Sequence, residues 1–368
     1  MKLRFNRNEM AEVLAAVSGV AAVRSPKEIL KGVHIEARSD VVLLSATDLE
    51  IGVRCAVTQV EVDDPGETVV VAETLSRIVR ECADEVLTVE SSGNLLHVQG
   101  MGSHFQIVTH DAGDFPPVPC MEGEAQFAVE YGVLRRMVEL TVFSAAKEST
   151  RYAINGVLWE VEGKRLTLAA TDGRRLSIAR GDLLEGGAPD AARAIVPAKA
   201  LSLLGRLPVD DDARMAAQVS GNRILLDMGR VTMSSALVEG QFPKYQDVVP
   251  SDCDRVVELP TSEFHSALKR AALLTNEESA GVRFAFSEGN LTLTSRAPEQ
   301  GEAEISLPIE YAAETLEIGF NPVFLLEVLR AVDTDRVTLA IKGADRPGVI
   351  RMGDDFVYVV MPVNLSSG

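Results

Sequence analysis

The 368-residue chain is long enough for two or three domains of ordinary size, and its 46% hydrophobic content supports several packed cores. A formal net charge of −18 argues against a protein that grips nucleic acid with its whole surface, so any DNA-binding role needs its positive charge concentrated locally. Residues 1–7 show no apolar leader core, no apolar run approaches the roughly 20 residues of a membrane span, and the four cysteines form no CxxC pair, so a cytoplasmic protein with reduced thiols and no membrane partner is expected.

The first element along the chain is a helix, with Met10, Val13, Leu14 and Val17 on one face. A strand-turn-strand follows: Gly32-Val33-His34-Ile35-Glu36, a polar turn, then Val41 through Asp48. A short strand, Val70-Val71-Ala72, leads into a second helix face of Leu75, Ile78 and Val79, and acidic Asp84-Glu85 follows. The same series then begins again. Leu134, Met137, Val138 and Thr141 open it, Gly156-Val157-Leu158-Trp159-Glu160 and Leu166 through Asp172 form its hairpin, and Ile195-Val196-Pro197 leads into Leu201, Leu204 and Leu207. A third series has Phe264, Ala267, Leu268 and Ala271, a hairpin from Gly281 to Ser295, and Gly319-Phe320-Asn321-Pro322 leading into Leu325, Val328 and Leu329. Pro197 and Pro322 stand where a helix begins, a position that proline tolerates. The hairpin glycines Gly32, Gly156 and Gly281 step by 124 and then 125 residues, a repeat at the scale of a whole domain. The expected class is therefore α+β: three repeated domains, near 1–125, 126–253 and 254–368, each with two helices packed on antiparallel sheets.

Catalytic signatures are missing. The five histidines include no HExxH, Gly100-Met101-Gly102 does not continue as a dinucleotide fingerprint, and no GxSxG occurs. His104 and His110 read as solvated or hydrogen-bonded side chains, and no metal or cofactor is expected. Thr47-Asp48 and Thr171-Asp172 occupy equivalent places in two repeats, where Ser295-Arg296 stands in the third. They read as turn caps, since Thr and Asp side chains bond nearby backbone. The six helix windows 7–18, 72–82, 131–145, 197–206, 261–277 and 321–333 hold ten basic and nine acidic residues, so they carry +1 while the remainder carries −19. Arg77, Arg80 and Lys199 on these helices, with Arg24, Lys27, Lys31, Lys147 and Arg151 in adjoining loops, are candidate phosphate contacts. Aromatic content of 5% disfavours base stacking on single strands.

Over nearly its full length the chain resembles the bacterial DNA polymerase III beta subunit family of sliding clamps. The resemblance rests on Thr47-Asp48-Leu49-Glu50, Arg151-Tyr152 with Asn155-Gly156, Ala170-Thr171-Asp172-Gly173 with Arg175-Leu176, and Phe242-Pro243 with Tyr245. It continues through Asn276-Glu277, Pro298-Glu299-Gln300, Glu317-Ile318-Gly319-Phe320-Asn321 and Tyr358-Val359-Val360-Met361-Pro362. It implies three clamp-fold domains, a head-to-tail homodimer closed as a six-domain ring, and sequence-independent encirclement of duplex DNA after loading by an ATP-dependent clamp loader. It implies no catalysis: the ring tethers the alpha subunit of the replicative polymerase and acts as its processivity factor. A peptide groove, shared by the clamp loader, other polymerases and repair proteins, is implied at Ile154, Thr171, Gly173, Arg174, Arg175, Leu176, Pro243, Val248, Val359, Val360, Met361, Pro362 and Val363. Arg24, Arg151 and Tyr152 would approach DNA, and Phe105, Ile107, Leu273 and Leu274 would pack as exposed apolar residues in the dimer interface. Glu148, Asp247 and Asn364 depart from the family pattern at the DNA loop and beside the groove, and Ser366-Ser367-Gly368 extends the tail. Two other readings fit parts of the sequence. One is an enzyme with a site between repeated domains, which the missing motifs disfavour. The other is a paralogue that keeps the groove but no longer works at the fork, for which Glu148 is the main support.

Overall fold

The computed structural model describes residues 1–21, 25–148, 153–186, 193–275, 281–297 and 300–364. They contain six α-helices: α1 (Arg7–Ser18), α2 (Ala72–Glu81), α3 (Tyr131–Thr141), α4 (Ala198–Leu204), α5 (Thr261–Ala271) and α6 (Pro322–Ala331). Every helix follows a strand directly, so the chain turns from extended to helical within one residue. Asn6 caps α1 by accepting from the N–H groups of Asn8 (2.9 Å) and Glu9 (3.2 Å), and Asn321 caps α6 from Val323 (3.0 Å), with Pro322 at the first helical position. The apolar faces read from the spacing are buried: Met10, Val13, Leu14 and Val17 in α1, Phe264, Ala267, Leu268 and Ala271 in α5, Leu325, Val328 and Leu329 in α6. Fully burying a Val, Leu, Met or Phe side chain, the larger members of these faces, contributes about 1.5–3 kcal/mol. Helices α3 and α5 end earlier than the expected windows because Val142–Ser144 and Ala272–Leu274 tighten into 3₁₀ turns.

The chain folds as two compact units, each holding one terminal repeat and part of the middle one. In the first, fourteen antiparallel strands run as one sheet. Its middle passes from Arg214–Ser220 through Arg223–Asp227 and Val231–Ala236 to Ile51–Val57, Val42–Thr47 and Gly32–Ala37. It continues through Gly66–Val71 to Ser103–His110, Leu95–Gly100 and Val86–Ser92. In the second unit the run Arg165–Thr171, Arg175–Asp182, Phe356–Val360, Gly348–Met352, Arg336–Ile341, Arg255–Pro260 forms one sheet. The strands Gly301–Pro308, Asn290–Ala297, Val282–Ser287 and Leu316–Phe320 form another.

Repeats are joined by strand pairing in one recurring way. The strand after the first hairpin, Ile51–Val57, pairs with the last strand of the second repeat, Val231–Ala236, in the register Cys55↔Val231 to Ile51↔Ser235. The strand after the second hairpin, Arg175–Asp182, pairs with the last strand of the third repeat, Phe356–Val360, from Arg175↔Val360 to Ala179↔Phe356. The strand after the third hairpin, Gly301–Pro308, is the edge of its sheet. The last strand of the first repeat, Ser103–His110, pairs with Leu95–Gly100 on one side, and on the other only its end meets Gly66–Val71, at Thr109 and His110. Among the described residues, its stretch 103–108 is therefore open along one edge.

Both joining strands start from the same turn. The Thr47 hydroxyl donates to the Ile51 carbonyl (2.8 Å) and accepts from the Leu49 N–H, while the Asp48 carboxylate accepts from the N–H groups of Glu50 and Ile51. Thr171 and Asp172 repeat all four bonds with Arg175, Gly173 and Arg174. The third residue must adopt positive φ: Gly173 does so at 87° and Leu49 at 79°. Leucine in this region costs about 1–2 kcal/mol, part of which glycine would return as extra freedom in the unfolded chain. Leu49 is 45% exposed and gives up little packing. Leu49→Gly should therefore raise stability to urea unfolding by about 0.5–1 kcal/mol; a loss of stability would mean that the leucine side chain holds the turn.

Candidate functional site

Ten of the thirteen expected groove residues fall on two segments, 171–176 and 359–363, that strand pairing brings side by side. Arg175 pairs with Val360 and Leu176 with Val359, and the Met361 N–H donates to the Arg174 carbonyl (2.9 Å), extending the pairing one residue past the strand. The Val363 N–H donates to the Gly319 carbonyl (2.9 Å), which holds the tail against the start of α6. Thr171, Leu176, Val359 and Val360 are buried and form a floor, while Gly173, Arg174 and Met361 are exposed and Pro362 and Val363 half-buried. The arrangement presents apolar and backbone surface at the end of a rigid ladder, which suits a short peptide. Ile154 is buried, with its carbonyl accepting from the Ala146 N–H (2.8 Å). Pro243 and exposed Val248 lie on the 242–250 segment, fixed by Phe242 against Tyr245 edge to face and by the Tyr245 hydroxyl donating to Glu160 (2.7 Å).

Arg175 is buried and anchors the groove from beneath. Its side chain is buried and donates to Asp172 Oδ2 (3.0 Å), the Phe143 carbonyl (2.7 Å) and Glu327 of α6, and its guanidinium lies 4.5 Å from the ring centroid of Phe324. Burial opposes its charge, but the hydrogen bond to Glu327 and the nearby Glu327 and Asp172 charges outweigh that and hold its pKa above the ordinary arginine value. Tyr358, on the partner strand, donates to the Phe324 carbonyl (2.8 Å), and burial raises its pKa. Neither Glu327, Phe143 nor Phe324 stands out in the sequence as part of this site, because the Arg175–Glu327 pair joins residues 152 apart. A second tie within the same unit comes from Arg136, which donates to the Ala331 carbonyl at the end of α6 (2.6 Å) and pairs with Asp333 (2.8 Å).

Of the candidate DNA contacts, Lys27, Arg77, Arg80 and Lys147 are exposed. Lys199 is also exposed, but its ammonium lies 2.5 Å from Asp48 Oδ2 and so is shared with the turn. Arg24, Arg151 and Tyr152 lie outside the described residues, and Glu148, the last described residue before 153, is exposed. Of the expected interface residues, Phe105 is 36% and Leu273 71% exposed, and Leu274 is half-buried. Ile107 is only 7% exposed, contrary to the expectation of a solvent-facing residue: its register opposite Leu96 turns it to the inner face of the hairpin. Among the described residues no three ligating side chains converge on a metal position. A cavity of about 750 Å³ is lined by residues of α5, the end of α6 and 332–336, none of them an expected groove residue.

Three repeats joined by strand pairing, with six helices among the described residues and an apolar ledge at the end of a strand ladder, define a clamp-type binding protein. Family models agree along the chain: the N-terminal domain of the DNA polymerase III beta subunit matches residues 1–119, its central domain 128–244 and its C-terminal domain 246–364. The chain is 33% identical to the beta sliding clamp of Pseudomonas aeruginosa and 32% identical to that of Escherichia coli, with 99% of this chain and all of each relative covered. The crystal structure of a Pseudomonas aeruginosa DnaN sliding clamp bound to griselimycin superposes with a TM-score of 0.92 at 32% identity, covering 99% of this chain and all of that one. The chain belongs to the DNA polymerase III beta subunit family, the beta sliding clamps. It is a non-catalytic DNA sliding clamp that supports polymerase processivity, and no described helix is long and apolar enough to cross a membrane.

Removing the anchor beneath the groove has a definite expected cost. Arg175→Ala leaves Glu327, Asp172 and the Phe143 carbonyl without their shared donor and should lower stability by about 3 kcal/mol. Urea unfolding with an unchanged m-value would check this, and a loss below about 1 kcal/mol would mean that water replaces the guanidinium freely.

Proposed function

We propose that two chains close head-to-tail into a ring of six domains around duplex DNA. The carrying observation is the recurring junction: twice within the chain, the strand after a hairpin pairs with the last strand of the next repeat. Among the described residues, the third hairpin's strand, Gly301–Pro308, and the first repeat's last strand, at 103–108, are the two members of this pattern without a junction partner. Pairing Gly301–Pro308 of one chain with 103–108 of another would repeat the junction a third time and remove both edges. Exposed Phe105 on one edge, and Leu273 in the turn beside the other, supply apolar surface for that contact. A ring retains DNA topologically, so Lys27, Arg77, Arg80, Lys147 and Lys199, with Arg24, Arg151 and Tyr152, need only weak, sequence-independent phosphate contacts.

The ledge at 171–176 and 359–363, with Ile154, Pro243 and Val248, is proposed as the common docking groove. Its occupants would be short motifs of the replicative polymerase alpha subunit, the clamp loader, other polymerases and repair proteins. An exposed methionine in the ledge suits partners of varied sequence. The domain limits near 125 and 253 and a cytoplasmic location belong to the same reading.

Retention on DNA of two shapes tests the ring. Protein loaded by a matched loader and ATP onto nicked circles should remain on circles and be lost when they are linearised. Equal, salt-sensitive retention on both would mean ordinary phosphate binding and would overturn encirclement. Deleting residues 361–368 should lower affinity for a polymerase-derived peptide by about a hundredfold or more, through loss of a central anchor; unchanged affinity in a folded deletion would remove the groove from 361–363.

A further inference from the structure

We infer that the hairpin Leu95–Gly100/Ser103–His110 carries a surface site for a divalent transition-metal ion, with His97 and His104 as its two protein ligands. The residues are diagonal neighbours on one face: His97 stands opposite Gln106, and His104 opposite Gln99. His97 Nδ1 lies 3.0 Å from His104 Nε2, and the rings are nearly parallel at 19° with centroids 5.2 Å apart. At present one nitrogen donates to the other. Moving that proton to the far nitrogen of the donor ring, a tautomer change without net proton loss, leaves two lone pairs on neighbouring nitrogens. Metal–imidazole bonds are about 2.0–2.1 Å, so two of them at 90–110° set their nitrogens about 2.9–3.4 Å apart. The observed separation already falls in that window, and small side-chain rotations suffice to aim both lone pairs at one ion.

His104 is exposed and His97 half-buried, so solvent and ions reach the pair. Two imidazoles select zinc, nickel or copper over magnesium or calcium, whose preferred ligands are oxygens. Since among the described residues no third ligating side chain converges there, water completes the shell and binding is modest and reversible. Glu90, opposite His97 on the next strand, is held only in an exposed pair with Lys2 (3.3 Å), and it adds negative potential beside the site. Metal binding would cross-link the two strands of the hairpin independently of its backbone ladder. The assignment rests on the hairpin geometry alone and stands or falls separately from ring closure, although the strand it would brace is the one with the open edge.

The test is calorimetric titration of Zn²⁺ into the full, metal-stripped chain and into His97→Gln and His104→Gln, with unfolding temperatures taken without metal to verify folding. The expected result is one binding event per chain that weakens by about tenfold or more in each variant, since each removes one of two ligands. Long-range ¹⁵N–¹H spectra of the imidazoles should show His97 Nδ1 and His104 Nε2 shifting together on addition of Zn²⁺. No binding event, or binding unchanged in either folded variant, would overturn the site; unchanged binding would assign the ion to the acidic surface in general.

Discussion

A backbone ladder that reaches a domain boundary must either continue or expose its polar groups, and in this chain it continues. Each junction between repeats is made by main-chain hydrogen bonds between a strand that leaves a hairpin and the final strand of the following repeat. Pairing of this kind depends little on side-chain identity, which is why three repeats of quite different sequence are assembled alike. It also fixes direction. One end of the chain offers the strand that follows a hairpin and the other offers a final strand, so the leftover edges differ and suit head-to-tail association.

The groove is a consequence of the same constraint. Where the second junction ends, at Arg175 and Val360, the next residues turn away from the ladder, and their side chains become surface. A ledge made in this way would be mobile if the strand end frayed. Three things prevent that: the Thr171-Asp172 turn, which satisfies the N–H groups of Gly173, Arg174 and Arg175, the Met361–Arg174 bond, and the Arg175 guanidinium, which binds the turn to α6 through Glu327. A buried arginine is a poor choice for stability alone, since desolvation offsets most of its attraction to carboxylates. Its planar set of donors does, however, satisfy two carboxylates and a carbonyl at once, as no apolar residue could.

Local patterns were legible in the sequence, and long-range ones were not. The spacing of Met10, Val13, Leu14 and Val17 set α1 at the residues observed, and the glycine steps located all three hairpins. The Thr-Asp turns were readable because their hydrogen bonds span four residues. Ile107 was misjudged as exposed because alternation tells which residues share a face, while the register to Leu96 decides which face is inside. The His97–His104 pair and the Arg175–Glu327 pair were invisible for a related reason: diagonal cross-strand contacts and helix-to-turn contacts depend on register and packing, which spacing along the chain does not encode. The expected ends of α3 and α5 ran long because the chain winds on through a 3₁₀ turn, and residue spacing does not separate that tighter winding from the α-helix, although Leu273 within it is exposed.

The distribution of charge follows from how a ring would hold its substrate. The six helices contain nine basic and seven acidic residues, a net of +2 in a chain of −18. That excess is far too small for tight binding, where a protein that neutralises six to ten phosphates has an affinity steeply dependent on salt. Three of the nine, Arg135, Arg136 and Lys199, are further paired with Asp211, Asp333 and Asp48 outside the helices, which lowers the charge they can offer. For a protein that must grip DNA this would be a defect. For a closed ring it is the permissive condition: escape is prevented by covalent chain and paired strands, and each phosphate contact need only be weak enough to break as the duplex advances. With screening over about 10 Å at 0.1 M salt, acidic residues farther than that from a helix take little from its field. Low affinity and long residence are then compatible, because residence depends on the lifetime of the strand junctions rather than on the strength of the DNA contacts.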